Sequence, residues 1–135
     1  MERGALLLLL LGFGTTSMAA EPCLTYEPSV VMLSGTVAVK VFPGPPNFES
    51  VENGDRAERT FVLQLVHSIC ISGRDSLNNG PVGNIREIQL VLPSTSTSQF
   101  VPLAQIRVKG KLFGRHSGHH KTSVIMEVLD FEQAT

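Results

Sequence analysis

Val31-Met32-Leu33-Ser34-Gly35-Thr36-Val37-Ala38-Val39-Lys40-Val41 places Val31, Leu33, Gly35, Val37, Val39 and Val41 on one face of an extended chain, because successive strand side chains point to opposite sides. A helix would scatter the same residues around its axis. Pro43-Gly44-Pro45-Pro46 closes the run, since proline donates no ladder hydrogen bond and holds its predecessor extended. The same alternation recurs downstream. Phe61, Leu63 and Leu65 alternate with Val62, Gln64 and Val66 in a second strand ending near Cys70. Ile88, Leu90 and Leu92 mark a third strand, and Ile106, Val108, Gly110 and Leu112 a fourth with Arg107, Lys109 and Lys111 on its other face. Val124, Met126 and Val128 make a fifth.

A polar connection runs from Pro43 to Arg59, and a turn-rich loop from Gly73 to Gly83 carries Asn79-Gly80-Pro81. After Pro93 and the Ser/Thr run, Ser98 is placed to cap a short helix over Gln99–Ala104, with Pro102 in its first turn. Three strands, a short helix and two strands is the chain order of the OB-fold, so the expected fold is all-β, a small five-stranded OB-like barrel with one short helix between strands three and four. Gly35 and Gly110 sit mid-strand, where a small barrel must bend its strands to close. An open β-sandwich satisfies the alternation equally. No repeat or domain boundary interrupts residues 21–135.

Residues 1–20 read as a signal peptide. Six leucines from Leu6 to Leu11 form a core too short to span a bilayer, which takes about 20 apolar residues. Ser17-Met18-Ala19 fits a small-x-small cleavage site, with Ala20 as a second end, so the mature chain is expected to start at Ala20 or Glu21. Cys23 is not a lipidation site, because Ala20-Glu21-Pro22 replaces the small residues that acylation requires. No later stretch is long enough for a membrane span in the mature chain. These features point to a periplasmic or secreted protein. In an oxidising compartment, the pair Cys23 and Cys70 reads first as a disulfide, with a metal-binding or reactive thiol pair as the alternative.

Net charge is -1, with no tryptophan and Tyr26 as the single tyrosine. Neither nucleic acid nor an anionic membrane is suggested by that balance. The stripe Arg107, Lys109, Lys111 and Arg115 lacks interleaved stacking aromatics and reads as a solvated strand face. Catalytic patterns are missing too: there is no G-x-S-x-G, H-E-x-x-H, phosphate loop or C-x-x-C.

Two stretches stand out. His116-Ser117-Gly118-His119-His120 concentrates three imidazoles in one loop, and imidazole ligates zinc, copper and nickel. Glu49, Asp55 or Glu58 would complete a shell around His116, His119 and His120. The plainer alternative is a polar loop whose imidazoles bond backbone or solvent. Phe42-Pro43-Gly44-Pro45-Pro46-Asn47-Phe48-Glu49 is stiff, and Asn47, Phe48 and Glu49 are the candidate ligand-binding residues. Phe48 is either an exposed anchor or tucks under the loop as a lid on the barrel. In an OB-fold these two loops flank the ligand face.

Cys23-Leu24-x-Tyr26-Glu27-Pro28, Phe42-Pro43-Gly44-Pro45-Pro46-Asn47-Phe48-Glu49-Ser50 and Gly110-x-Leu112-Phe113-x-x-His116-x-Gly118-His119-His120 together resemble a bacterial family of small exported domains of unknown function. The likeness covers most of the mature chain. It departs at Phe48, where the family carries tyrosine, and near Gln105, where it carries glycine. The resemblance implies a bacterial envelope location and brings no activity with it. The expected function is a non-catalytic exported binding module for an envelope protein or glycan, for example an inhibitor of a hydrolase. The alternative is a periplasmic metal-binding protein using the histidine loop.

Overall fold

The computed structural model describes residues 9, 11–17, 21–93 and 103–133. Its strands are β1 (Leu24–Thr25), β2 (Val30–Pro43), β3 (Ala57–Ser72), β4 (Val82–Val91), β5 (Gln105–Gly114) and β6 (Val124–Gln133). They form one six-stranded sheet in the order β1-β3-β2-β5-β6-β4, and a further β3–β4 pairing closes the five long strands into a ring of hydrogen bonds. Pairing is antiparallel except for β1 with β3 and β4 with β6. Among the described residues there is no helix, and hence none long and apolar enough to cross a membrane.

The period-two pattern predicts which face turns inward. Ile106, Val108 and Leu112 of β5 are buried, while Arg107 and Lys109 are exposed. Val37, Leu63, Leu90, Val108 and Val124, expected in the core, are all at most 4% exposed. Each such burial contributes about 1.5–3 kcal/mol relative to leaving the side chain in water. The outward stripe of β5 faces acids across β6: Arg107 is opposite Glu132, Lys109 opposite Asp130 and Lys111 opposite Glu127. Its charge is balanced on its own sheet face.

The two mid-strand glycines sit where neighbouring backbone comes too close for a side chain. A Cβ at Gly35 would lie 2.1 Å from Gln64 O, and one at Gly110 would lie 2.2 Å from Glu127 O. Around Gly35, β2 passes from pairing with β5 to pairing with β3. At Gly110 the β5–β6 register shifts, as at a bulge.

Two expectations require correction. The sheet has six strands and not five, because Leu24-Thr25 adds to β3 beside Ile71-Ser72. A two-residue strand has no periodicity to read; the adjoining Cys23–Cys70 disulfide, with Cα atoms 4.7 Å apart, anchors it there. Most of the expected helix over Gln99–Ala104, with Ser98 and Pro102, lies outside the described residues. Its last two residues are not helical. Leu103 N donates to Val37 O at 2.7 Å and Val37 N donates to Ala104 O at 3.1 Å, so this segment serves the backbone of β2 instead of turning on itself.

Candidate functional site

Residues 44–56 join β2 to β3, and residues 115–123 join β5 to β6. The first loop is organised by Asp55, a buried carboxylate. Asp55 Oδ1 accepts from Asn47 N at 2.8 Å, while Oδ2 accepts from Glu49 N at 2.8 Å and Ser50 N at 2.9 Å. The amides of Ser50, Glu49 and Asn47 hold this carboxyl below its ordinary range. Backbone bonds from Gly44 N to Arg56 O and from Phe48 N to Gly44 O complete the loop. Asn47 and Glu49 are exposed, and their amides serve the fold. Phe48, with φ 57°, is half-buried and lies over the second loop: its ring would sit 3.0 Å from any Cβ at Gly118.

The second loop is held from three directions. Asp75, in the β3–β4 connection, accepts from Gly114 N at 2.8 Å at the foot of the loop, and also from Leu77 N, Asn79 N and Asn79 Nδ2. Burial alone would raise the Asp75 carboxyl, but the bonds from Asn79, Gly114 and Leu77 outweigh it and hold the group low. Buried Gln89 of β4 works on the far side. Its Nε2 donates to His119 O at 3.0 Å and its Oε1 accepts from Lys121 N at 2.6 Å. Within the loop, Arg115 Nε donates to His120 O at 2.9 Å and Nη2 to Lys121 O at 3.2 Å.

A clasp joins the loops. Glu58, at the start of β3, accepts from His119 Nδ1 at 2.6 Å on one oxygen and faces Lys121 Nζ at 3.1 Å on the other. Lys121 Nζ also donates to Pro43 O at 3.0 Å and Gly118 O at 2.8 Å, so its three protons are engaged. Its side chain is only 7% exposed and runs between the rings of Phe42 and Phe48, 5.9 and 5.1 Å from their centroids. Burial pushes Glu58 up, but the Lys121 and His119 bonds prevail and hold it below its ordinary value.

The histidines divide between two tasks. His119 serves Glu58 and meets Phe48 edge-on at 5.2 Å. His116 and His120 pack together, 4.3 Å between centroids, against Phe113. Burial, followed by the charges of His116, His119 and Arg115, lowers the His120 pKa. Hydrogen bonds assign their tautomers. His116 Nδ1 lies 3.1 Å from Gly114 O, a partner that only accepts, so Nδ1 carries the proton. His120 Nδ1 accepts from His116 N at 3.2 Å, so the proton of the neutral ring is on Nε2.

Among the described residues no three His, Cys, Asp or Glu side chains gather as a metal shell. The expected convergence of His116, His119 and an acid is met by His119 and Glu58 alone. The Lys121 ammonium stands at the second Glu58 oxygen, and ligation through His120 Nε2 would displace its proton and break the bond to Nδ1. Lys121, Gln89 and Asp75 were not singled out from the sequence. Gln89 shows one signal, a polar residue within an apolar alternation, whereas Lys121 and Asp75 lie in polar loops that mark neither.

Between the loops lies a groove of about 290 Å³, lined by Phe42, Phe48, Arg115, Ser117, His120 and Lys121 among others. Residues 87–132 match the model of a family described as a domain of unknown function, DUF4431. The matched segment takes in the histidine loop, Gln89 and strands β5 and most of β6; the disulfide and loop 44–56 precede it. No curated protein matches the chain.

Proposed function

We propose that this protein is an exported, non-catalytic binding module whose ligand face is the groove between residues 44–56 and 115–123. Residues 21–135 form its working domain, which we read as an OB-like barrel. The ring of five long strands and the neighbouring positions of these two loops support that reading. The leucine-rich leader and the Cys23–Cys70 disulfide support action in the periplasm or outside the cell. The partner is an envelope protein or glycan, and a hydrolase is a suitable protein target.

The carrying observation is the Lys121–Glu58–His119 clasp. It fixes two loops of different strand pairs against each other through a nearly dry ammonium. A face ordered before binding loses little conformational freedom when it binds. The test fills the groove with Ser117→Trp, an exposed loop position. Wild-type protein immobilised on resin should retain a protein or glycan from a bacterial envelope fraction, and Ser117→Trp should not, with thermal unfolding unchanged. Equal retention by both would remove the groove from the binding face. Turnover of envelope polymers by the purified protein would overturn the non-catalytic reading.

A further inference from the structure

Asparagine precedes glycine twice in the chain, at Asn53-Gly54 and at Asn79-Gly80. Such a pair carries its own reaction. Glycine has no Cβ to shield its nitrogen, which can close on the carboxamide carbon of the preceding side chain. The fold treats the two pairs differently. Asn79 is half-buried and fastened to Asp75: its Nδ2 and N each donate to that carboxylate at 2.8 Å, and its O accepts from Asp75 N at 3.1 Å. Its side chain also fills the space over Gly114, where an added Cβ would lie 2.4 Å from Asn79 Cγ. Turning that carboxamide onto Gly80 N breaks this packing and these bonds. Asn53, by contrast, is exposed together with Val51, Glu52 and Gly54, and among the described residues its carboxamide makes no hydrogen bond. Gly54, at φ 109°, has nothing within 4 Å of an added Cβ. Its N–H is held by a single bond, to Val51 O at 3.2 Å, in an exposed turn of the kind that opens readily.

We infer that Asn53 is a modification site, where Gly54 N closes on the carboxamide and converts the residue to aspartate and isoaspartate in the folded protein while Asn79 is spared. A bond forms between Gly54 N and Asn53 Cγ. The Cγ–Nδ2 bond breaks, and the nitrogen leaves as ammonia with the proton that Gly54 N gives up. Water then opens the cyclic imide. Opening at Cγ gives aspartate, and opening at the main-chain carbonyl gives isoaspartate. The site lies in the loop that Asp55 organises, whatever the groove binds. Between Ser50 and Asp55 the chain closes on itself: Asp55 N donates to Ser50 O at 3.1 Å, and Asp55 Oδ2 accepts from Ser50 N at 2.9 Å. Isoaspartate carries the main chain through its own β carbon, so a methylene enters this closed segment. It also leaves a free carboxylate near that of Asp55, where like charges repel. Both changes loosen Asp55 from the amides of Asn47, Glu49 and Ser50, and so disturb the loop that sets Phe48 over Gly118.

Tryptic mapping after incubation of the purified protein in mildly alkaline buffer tests this. Lys40 and Arg56 enclose the first pair in one peptide, and Arg74 and Arg86 enclose the second in another. In the folded protein Asn53 should become an acid about tenfold or more faster than Asn79, and in urea the two should react at similar rates. Oxygen-labelled water should leave its label in the new acid. Asn53→Gln, whose longer side chain closes the ring poorly, should stay unmodified over the same time. Equal rates at Asn53 and Asn79 in the folded protein would overturn the inference, as would an inert Asn53 where the unfolded chain reacts. The isoaspartate form, separated by ion exchange, should exchange the amide hydrogens of Asn47, Glu49 and Ser50 about tenfold or more faster than the parent. Asn53→Asp adds the charge without the methylene and should fall between the two. Unchanged exchange in the isoaspartate form would overturn the effect on the loop.

Discussion

Lys121 illustrates how one side chain can bind two loops without any sign of it in the primary structure. A lysine following two histidines in a polar loop reads as solvated. Its role depends on Pro43, Glu58 and Gly118, of which the first two lie more than sixty residues away in the chain. Lys121→Met keeps the length and removes the ammonium, leaving two carbonyls and a half-buried carboxylate without their partner. That should cost about 1–3 kcal/mol, measured as a lowered urea midpoint; an unchanged midpoint would mean that the clasp adds nothing to stability. A second prediction concerns acid. The folded state lowers Asp55 and Asp75 from 3.8 and Glu58 from 4.5, so as pH falls the unfolded chain takes up these protons first. The stabilisation is therefore complete above those ordinary values and is lost as pH falls through the lowered ones. Asp75→Asn should be less stable at neutral pH, and its urea midpoint should fall less than that of the wild type between about pH 4 and pH 2. Parallel acid profiles would exclude Asp75 as a contributor.

At the scale of elements, the long strands were readable because one face of each is buried and the other is not, and alternation records that division directly. Val37, Leu63 and Val124 follow from it. Alternation carries no information about β1, which is too short, or about Leu103 and Ala104, which exchange backbone hydrogen bonds with Val37. The histidine loop was visible as a concentration of imidazoles, but sequence spacing cannot show which ring nitrogen meets which neighbour. That His116 packs on His120 and not on His119, and that the two rings are opposite tautomers, was not readable. The glycines allow a test at this scale. Gly110→Ala would press a methyl against Glu127 O and the Met126 side chain, and overpacking of this kind costs about 1–3 kcal/mol. Gly83→Ala, with nothing within 4 Å of the added carbon, is the control within a strand. Thermal unfolding should separate the two variants clearly, and equal melting temperatures would mean that the β5–β6 contact yields without cost.

For the whole molecule, the Cys23–Cys70 disulfide links the proposed address to the fold. It fastens the segment ahead of β2 to the end of β3 across a separation of 47 residues. Tyr26, three residues on, is 3% exposed and donates its hydroxyl to Gly80 O at 2.7 Å. The chain beginning at Glu21 is thus part of the packed domain almost at once, and a leader remaining on it would end beside the bridge. Export followed by cleavage after Ala19 or Ala20 would release this segment and expose both thiols to an oxidising compartment. Intact-mass analysis of protein recovered from the periplasm or medium should therefore give a chain starting at Ala20 or Glu21 that has lost two hydrogens. It should take up an alkylating reagent only after reduction. Constraining an unfolded loop of this length is worth about 4 kcal/mol as a nominal ceiling, so Cys70→Ser should lose about 2–5 kcal/mol and accumulate poorly outside the cytoplasm. A full-length or lipid-modified mass would end the soluble-export proposal, and native alkylation would end the bridge. Because the two readouts are independent, an uncleaved but bridged protein would leave the disulfide standing and return the leader to an anchor.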